Sequence, residues 1–499
     1  MVYPALSLSF PMTILLKRPK GAHRRRRKRR MGRKALSSSA FHVMAVRPCV
    51  FFSLLLLWGC AASLPSVSQL SQNTPTTGVP AIVGPHGELS PRAASAVIAR
   101  KGPGEESLIK SNADLMESLS GHPLTTGNRV SLLVDGPQTY GAMLEAIAAA
   151  KDHINFETFT FSDDEVGRKF TDAFIRKQKE GVQVNLIYDA VGSSSTPDSF
   201  FRHLKENGVN VLEFNPVNPA KMRWKLRITQ RDHRKVMVVD GKIGFTGGVN
   251  ISSVYSSRAP SLREFVGAKA MGWRDTDIRI EGPAVAQLQT LFLDTWRSQH
   301  GPPLADKNYF PPLEAKGDAL VEVIGSTPGS KHRLTYIMYV AAIEHASFAA
   351  HLTTPYFVPG GQMMKALTSA AQRGVDVKLL LPSISDSNLV LYAGRSHYED
   401  LLESGVRVYE RRDRMIHAKT GAVDGVWSTV GSTNLDLWSF LRDNEINVVV
   451  VGKDFAGNVE QLFEKDLAEA DEITKEQWSR RPLSERLKET FSRLISHWL

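Results

Sequence analysis

The strongest constraint on what this chain can fold into is that its body is written twice. Gly181-Val-Gln-Val-Asn-Leu-Ile-Tyr and Gly374-Val-Asp-Val-Lys-Leu-Leu-Leu are the same element, a glycine followed by an apolar run of the length of a buried strand. Ahead of each copy stand two helical periods and a strand: Tyr140 to Ala150, His153 to Phe161 and Glu165 to Lys179 in the first, Tyr336 to Ala346, Ser347 to Phe357 and Gly361 to Arg373 in the second. After each copy a helix ends at a glycine before another strand, at Gly208-Val-Asn-Val and Gly405-Val-Arg-Val. Strands alternating with helices predict an α/β layered body with sheets covered on both faces, and the repetition predicts two halves related by a pseudo-twofold axis.

The repeat also carries polar residues at fixed offsets. His233, Lys235, Asp240, Gly247 and Asn250 stand at 0, +2, +7, +14 and +17, and His417, Lys419, Asp424, Gly431 and Asn434 stand at the same offsets. Side chains two apart on a strand share a face, so each His and Lys project together. Asp240-Gly241 and Asp424-Gly425 lie between apolar runs, the pattern of a tight hairpin, which favours a turn role for the two aspartates that complete the motifs. The return strand brings Asn250, or Ser432 and Asn434, back beside the His and Lys, where they are candidates for contacting a phosphate.

One such pair is ordinary strand surface. Two pairs brought together make a pocket of two imidazoles and two ammonium groups, suited to a phosphodiester: one His attacks phosphorus and the other protonates the leaving oxygen, while Lys and Asn hold the non-bridging oxygens. An attacking imidazole needs its far nitrogen held by an acceptor. Each half offers one at the start of an apolar strand, Asp275 in Trp273-Arg-Asp-Thr and Glu445 after Asn444, with a surface ion pair as the plainer alternative for both. Metal ligands are not expected, because the body lacks cysteine and has no His-Glu-x-x-His motif.

The formal charge of +11 is misleading about partners. Thirteen basic residues and no acidic one fall within residues 1–50, so the rest of the chain carries 11 − 13 = −2. A slightly acidic body argues against nucleic acid, whose affinity comes mostly from Lys and Arg at phosphates. Met44 opens a segment built like an export signal: Arg47, an apolar stretch from Val50 to Trp58 too short to span a bilayer, then small residues. The only two cysteines, Cys49 and Cys60, lie here, and the body is therefore indifferent to an oxidising compartment. The expected organisation is a basic leader with signal- or lipoprotein-like segment (1–60), a flexible Ser/Pro/Thr-rich tether (61–106), a first half (107–310), a second half (311–477), and an amphipathic C-terminal helix (478–499). In that last segment Leu483, Leu487, Phe491, Leu494, Ile495 and Trp498 share one helical face, fitting either a membrane surface or docking on the chain's own body.

His233-Arg-Lys-Val-Met-Val-Val-Asp, Gly247-Gly-Val-Asn-Ile, Trp273-Arg-Asp-Thr with Glu281-Gly-Pro, Thr354-Pro-Tyr-Phe-Val-Pro, His417-Ala-Lys and Gly431-Ser-Thr-Asn-Leu-Asp resemble the phospholipase D superfamily, in detail its bacterial cardiolipin synthase branch. The resemblance runs from about Asn128 to the C-terminus. It implies a duplicated α/β/α sandwich whose halves share one active site, and a cofactor-free phosphatidyl transfer through a phosphohistidine. It further implies His233 as nucleophile and His417 as general acid, which the residues alone leave open. The partners implied are phospholipids, phosphatidylglycerol first, and a membrane surface. Leu57-Trp58-Gly59-Cys60 resembles a lipoprotein cleavage site, with Cys60 the lipidated residue, which implies peripheral or lipid-anchored attachment on the exported side of a bacterial membrane. The first copy departs from the superfamily pattern, having Gly248 where the second has Ser432. Rival readings are a hydrolase, acting on phospholipid or nucleic acid with water as acceptor, and a catalytically dead membrane scaffold.

Overall fold

The computed structural model describes residues 67, 69–70, 78–102, 106–217, 229–256, 272–330 and 332–495. The leader, Cys60 and much of the expected tether lie outside the described residues.

The two halves build matching sheets. In the first, β1 (Leu124–Val134), β2 (His153–Thr158), β3 (Gln183–Asp189), β4 (Asn210–Phe214), β5 (Val236–Val239), β6 (Ile243–Gly247) and β7 (Thr276–Glu281) run in the order β4-β3-β2-β5-β6-β7-β1. In the second, β8 (Ala319–Ser326), β9 (Ala349–Thr353), β10 (Asp376–Pro382), β11 (Arg407–Arg411), β12 (Thr420–Val423), β13 (Trp427–Gly431) and β14 (Asp443–Val451) run in the order β11-β10-β9-β12-β13-β14-β8. The orders correspond strand for strand, and β15 (Ala470–Ile473) extends the second beyond β11. The sheets join where β1 pairs antiparallel with β8, at Asn128 with Ala319 and Thr125 with Val321.

The strands β2, β3 and β5 are buried at every position, as apolar runs in a sheet covered on both faces must be. The helices Glu165–Lys179 and Gly361–Gln372 lie where the repeat predicts them. Gly208 and Gly405 take φ of 87° and 92°, the left-handed conformation that ends a helix. Both Asp-Gly turns have positive φ at both residues, 52° and 64° at Asp240-Gly241 and 50° and 64° at Asp424-Gly425, which matches a two-residue hairpin to the strand twist.

Two expectations need correction. Part of the expected tether is folded: Ile82–Gly84 pairs parallel with β1, and Pro91–Lys101 is a helix capped by the Ser90 side chain. Its signals are an N-cap Ser before Pro at the first helical position and Ala94 and Ile98 buried one turn apart, which the surrounding Ser/Pro/Thr-rich composition masks. In addition, the helix Glu106–Ser120 does not serve the first half. Its Leu108, Ile109 and Met116 join the core of the second, against Leu334–Glu344. That helix is buried at every position from Thr335 to Ile343, so it needs cover on every side.

The C-terminal segment forms two helices, Lys475–Ser479 and Leu483–Leu494. The second buries Glu489 and Ser492 and turns Leu483, Leu487, Phe491 and Leu494 outward, 62–76 % exposed. Docking of the apolar face on the chain's own body is therefore not what holds this helix. Among the described residues no helix is long and apolar enough to cross a membrane.

Candidate active site

Each His–Lys pair sits in an extended stretch just ahead of a central strand, β5 for His233 and Lys235, β12 for His417 and Lys419. Short bridges cross between the halves at these points. Arg231–Asp232 pairs parallel with the start of β14, and the His233 N–H donates to Asn444 O at 3.0 Å. By symmetry Arg274 bridges to Ile416, and the His417 N–H donates to Arg274 O at 2.7 Å. Since Glu445 follows Asn444 and Asp275 follows Arg274, each imidazole is set against the carboxylate of the opposite half. His233 Nδ1 lies 2.9 Å from Glu445 Oε1, and His417 Nδ1 lies 2.7 Å from Asp275 Oδ2, all four side chains fully buried.

Two arginines secure the crossing. Arg234, between the motif His and Lys, donates to Glu445 O, Thr295 Oγ1, Ser326 O and Thr327 Oγ1 at 2.9–3.1 Å. Arg274 pairs with Asp466 at 2.8 Å and donates to Thr276 Oγ1 at 2.9 Å. Buried guanidinium groups need such a full set of acceptors to offset their desolvation.

The ammonium groups lie against the rings. Lys419 Nζ is 2.9 and 3.1 Å from the two nitrogens of His417 and donates to His417 O at 2.6 Å. Lys235 Nζ donates to His233 O at 2.6 Å and lies 5.3 Å from the centre of the Phe159 ring. His233 Nε2 is buried with no protein partner. Aromatic walls complete the site: Phe159 against His233 at 5.1 Å, and Trp273, Tyr255 and Tyr356 around His417 at 5.0, 5.6 and 6.3 Å between ring centres.

Burial sets the charge states. Desolvation, followed by the nearby lysines, pushes both imidazoles well below the ordinary histidine range, and Lys419 acts on His233 across the halves. Desolvation pushes Lys235 down to about 7, with Lys419 the next cause, and Lys419 down to about 8. It pushes Asp275 and Glu445 up to about 7 against the pull of the same lysines. These shared influences tie both motifs into one electrostatic unit.

The remaining candidates divide. Asp240 and Asp424 stand apart from the imidazoles: each carboxylate accepts three backbone N–H groups, from Lys151, Asp152 and His153 at 2.8–3.0 Å and from Ser347, Phe348 and Ala349 at 2.7–2.9 Å. A carboxylate saturated by these amides holds the hairpin to the start of β2 or β9, the turn role that the Asp-Gly pattern favours. Ser432 Oγ donates to Glu445 Oε2. Asn250 accepts from Thr160 N–H at 3.1 Å and donates to Tyr255 Oη at 2.8 Å, whereas Asn434 donates to Ser439 Oγ at 3.2 Å and leaves its buried Oδ1 without a partner. At Gly248 a Cβ would fall 2.2 Å from Asp275 Oδ1, which is why the first copy has no counterpart of Ser432. Phe159 and Tyr255 escaped the sequence reading, and Arg234 and Tyr356, though they stand inside the quoted motifs, carried no role of their own there. Among the described residues no His/Cys/Asp/Glu cluster could hold a metal ion.

Two crossed imidazole–carboxylate pairs, each with its ammonium group, in a duplicated α/β body define the chain as a phospholipase D-type enzyme. Residues 143–258 and 339–467 match the family described as "Cardiolipin synthase, PLD-like domain". The chain is 36 % identical to cardiolipin synthase 1 of Staphylococcus epidermidis (strain ATCC 12228 / FDA PCI 1200) over 75 % of this chain and 74 % of that protein, and 36 % identical to the major cardiolipin synthase of Bacillus subtilis (strain 168) over 74 % and 76 %. A phosphatidylserine synthase structure from Haemophilus influenzae Rd KW20 shares the fold, with TM-score 0.54 and 15 % identity over 74 % of this chain and 94 % of that one. The chain belongs to the cardiolipin synthase family, phosphatidyltransferases of the phospholipase D superfamily.

Proposed function

We propose that the chain transfers a phosphatidyl group between two phosphatidylglycerol molecules, releasing glycerol and making cardiolipin. The observation that carries this reading is the partnerless buried Nε2 of His233, opposite an Nδ1 held by Glu445. With Nδ1–H donating to the carboxylate, the lone pair sits on Nε2, as attack requires. The His233 Nε2–P bond forms as the P–O bond to glycerol breaks, and His417 gives its proton to the departing oxygen. The positive charge on the His233 ring is stabilised by Glu445. In the second step the hydroxyl of another phosphatidylglycerol loses its proton to His417 and attacks phosphorus, and the His233–P bond breaks. Lys235 and Lys419 hold the non-bridging oxygens, assisted by Asn434, while Ser432 keeps its hydroxyl on Glu445.

The reaction is assigned to the membrane surface, where these lipids reside. Support for an exported, lipid-anchored attachment comes from the segment Met44 to Cys60, with its short apolar stretch and Leu57-Trp58-Gly59-Cys60. The test supplies phosphatidylglycerol vesicles and identifies products by mass. Wild type is expected to make cardiolipin, and His233→Ala and His417→Ala none. Phosphatidic acid as sole product would replace the transferase reading with a hydrolase.

A further inference from the structure

The outward apolar face of the helix Leu483–Leu494 does not stand alone. Arg493, on the same helix, lines a cleft of about 500 Å³ together with Lys365, His397, Asp400, Met364 and Leu437. Lys365 and Arg493 supply the positive charge of this largely apolar cleft, Arg493 lying 3.8 Å from Asp400, while burial pushes His397 down to about 4 and leaves it neutral. Such a cleft receives an anionic group attached to something apolar. The helix rests on Asn388–Arg395, where Lys488 Nζ lies 3.1 Å from Tyr392 Oη and Arg493 donates to Ser396 O at 3.3 Å. Asn388–Arg395 in turn packs on Phe357–Val358, so tightly that a Cβ on Gly394 would come within 2.8 Å of Phe357 O. Phe357 follows Tyr356, a wall of the His417 pocket, and pairs with Leu435, which follows Asn434. The cleft and the apolar face are thus mechanically continuous with the active site.

The structure assigns this face as the bilayer-docking surface: Leu483, Leu487, Phe491 and Leu494 enter the acyl boundary, and the Lys365/Arg493 cleft takes the headgroup phosphate of an anionic phospholipid in that bilayer. This deepens the transferase reading above and rests on it for the identity of the membrane lipid. Charge complementarity selects the occupant. Residues 475–495 carry six basic and three acidic side chains, and Glu489 is turned inward onto Arg481, leaving a basic flank beside the apolar stripe.

The test uses the full chain with Cys49→Ser and Cys60→Ser, which frees it for a single label. Phe491→Cys carries an environment-sensitive nitrobenzoxadiazole dye, with Lys110→Cys on the helix Glu106–Ser120 as a control. On adding phosphatidylglycerol vesicles the 491 probe is expected to brighten and shift to the blue, more strongly than with phosphatidylcholine vesicles, while the 110 probe stays put. An unmoved 491 probe overturns the docking surface. Leu487→Glu/Phe491→Glu is expected to lower turnover of bilayer phosphatidylglycerol at least about tenfold while leaving turnover of a monomeric short-chain phosphatidylglycerol intact; equal turnover of bilayer substrate refutes the proposal. Lys365→Glu/Arg493→Glu is expected to abolish the preference of the 491 probe for anionic vesicles, and an undiminished preference refutes the cleft. Because the probe reads insertion without catalysis, a wild type that docks but makes no cardiolipin counts against the transferase reading alone.

Discussion

The crossed pairing makes a prediction that same-half pairing would reverse. Glu445→Gln keeps the side-chain shape and a hydrogen-bonding oxygen 2.9 Å from His233 Nδ1, but removes the charge that stabilises the imidazolium-like ring of the phosphoenzyme. Both groups are fully buried, so solvent cannot replace the lost charge. Breaking a buried ion pair costs about 3–5 kcal/mol, and at 1.36 kcal/mol per decade that is a loss of about two to four decades in the rate of phosphohistidine formation. Asp275→Asn, in contrast, weakens His417, which protonates the leaving group. The assay is a rapid-quench burst with a phosphatidyl ester of p-nitrophenol, a leaving group that departs without protonation. His417→Ala and Asp275→Asn are expected to retain a burst of p-nitrophenol, while His233→Ala and Glu445→Gln lose it. A burst that survives Glu445→Gln and vanishes with Asp275→Asn would refute the crossed assignment.

Other expectations follow from the same geometry. Asp240→Ala strips acceptors from three backbone amides and should lower stability by about 2–3 kcal/mol in chemical denaturation while kcat stays within about threefold of wild type; a collapse of kcat at unchanged stability would return Asp240 to the reacting groups. Gly248→Ser drives a Cβ into Asp275 Oδ1 and should cost at least about a hundredfold in kcat on natural lipid, more than the about tenfold expected of Ser432→Gly, which deletes one hydrogen bond to Glu445. The pH profile of kcat/KM should have an unusual placement. An imidazole attacks only above its pKa, so depression of His233 moves the acid limb below the usual 6.5. A general acid donates only below its pKa, so depression of His417 brings the alkaline limb below the usual 6.5 as well, ahead of the further loss expected as Lys235 at about 7 and Lys419 at about 8 release their hold on phosphate. A plateau persisting well into the lysine range of free peptides would contradict the depressed ammonium groups.

The sequence by itself determined the duplication, the strand and helix order of each half and the His–Lys pairs, because each rests on local periodicity or fixed short spacing, and those survive into the fold unaltered. It also determined the role of the two Asp-Gly turns, where the conformation lies within adjacent residues. What only the tertiary structure decided were the relations between distant segments. Glu445 reaches His233 across 212 positions and Asp275 reaches His417 across 142, through bridges between halves that no local pattern specifies. The same holds for the helix Glu106–Ser120, whose apolar face is satisfied by either half and is claimed by the one with an uncovered core helix. The C-terminal helix is the last case: its stripe was legible, but its direction depended on Glu489 finding Arg481 beneath it, which turned the leucines outward. Amphipathicity tells which residues share a face; only the surface it meets decides where that face points.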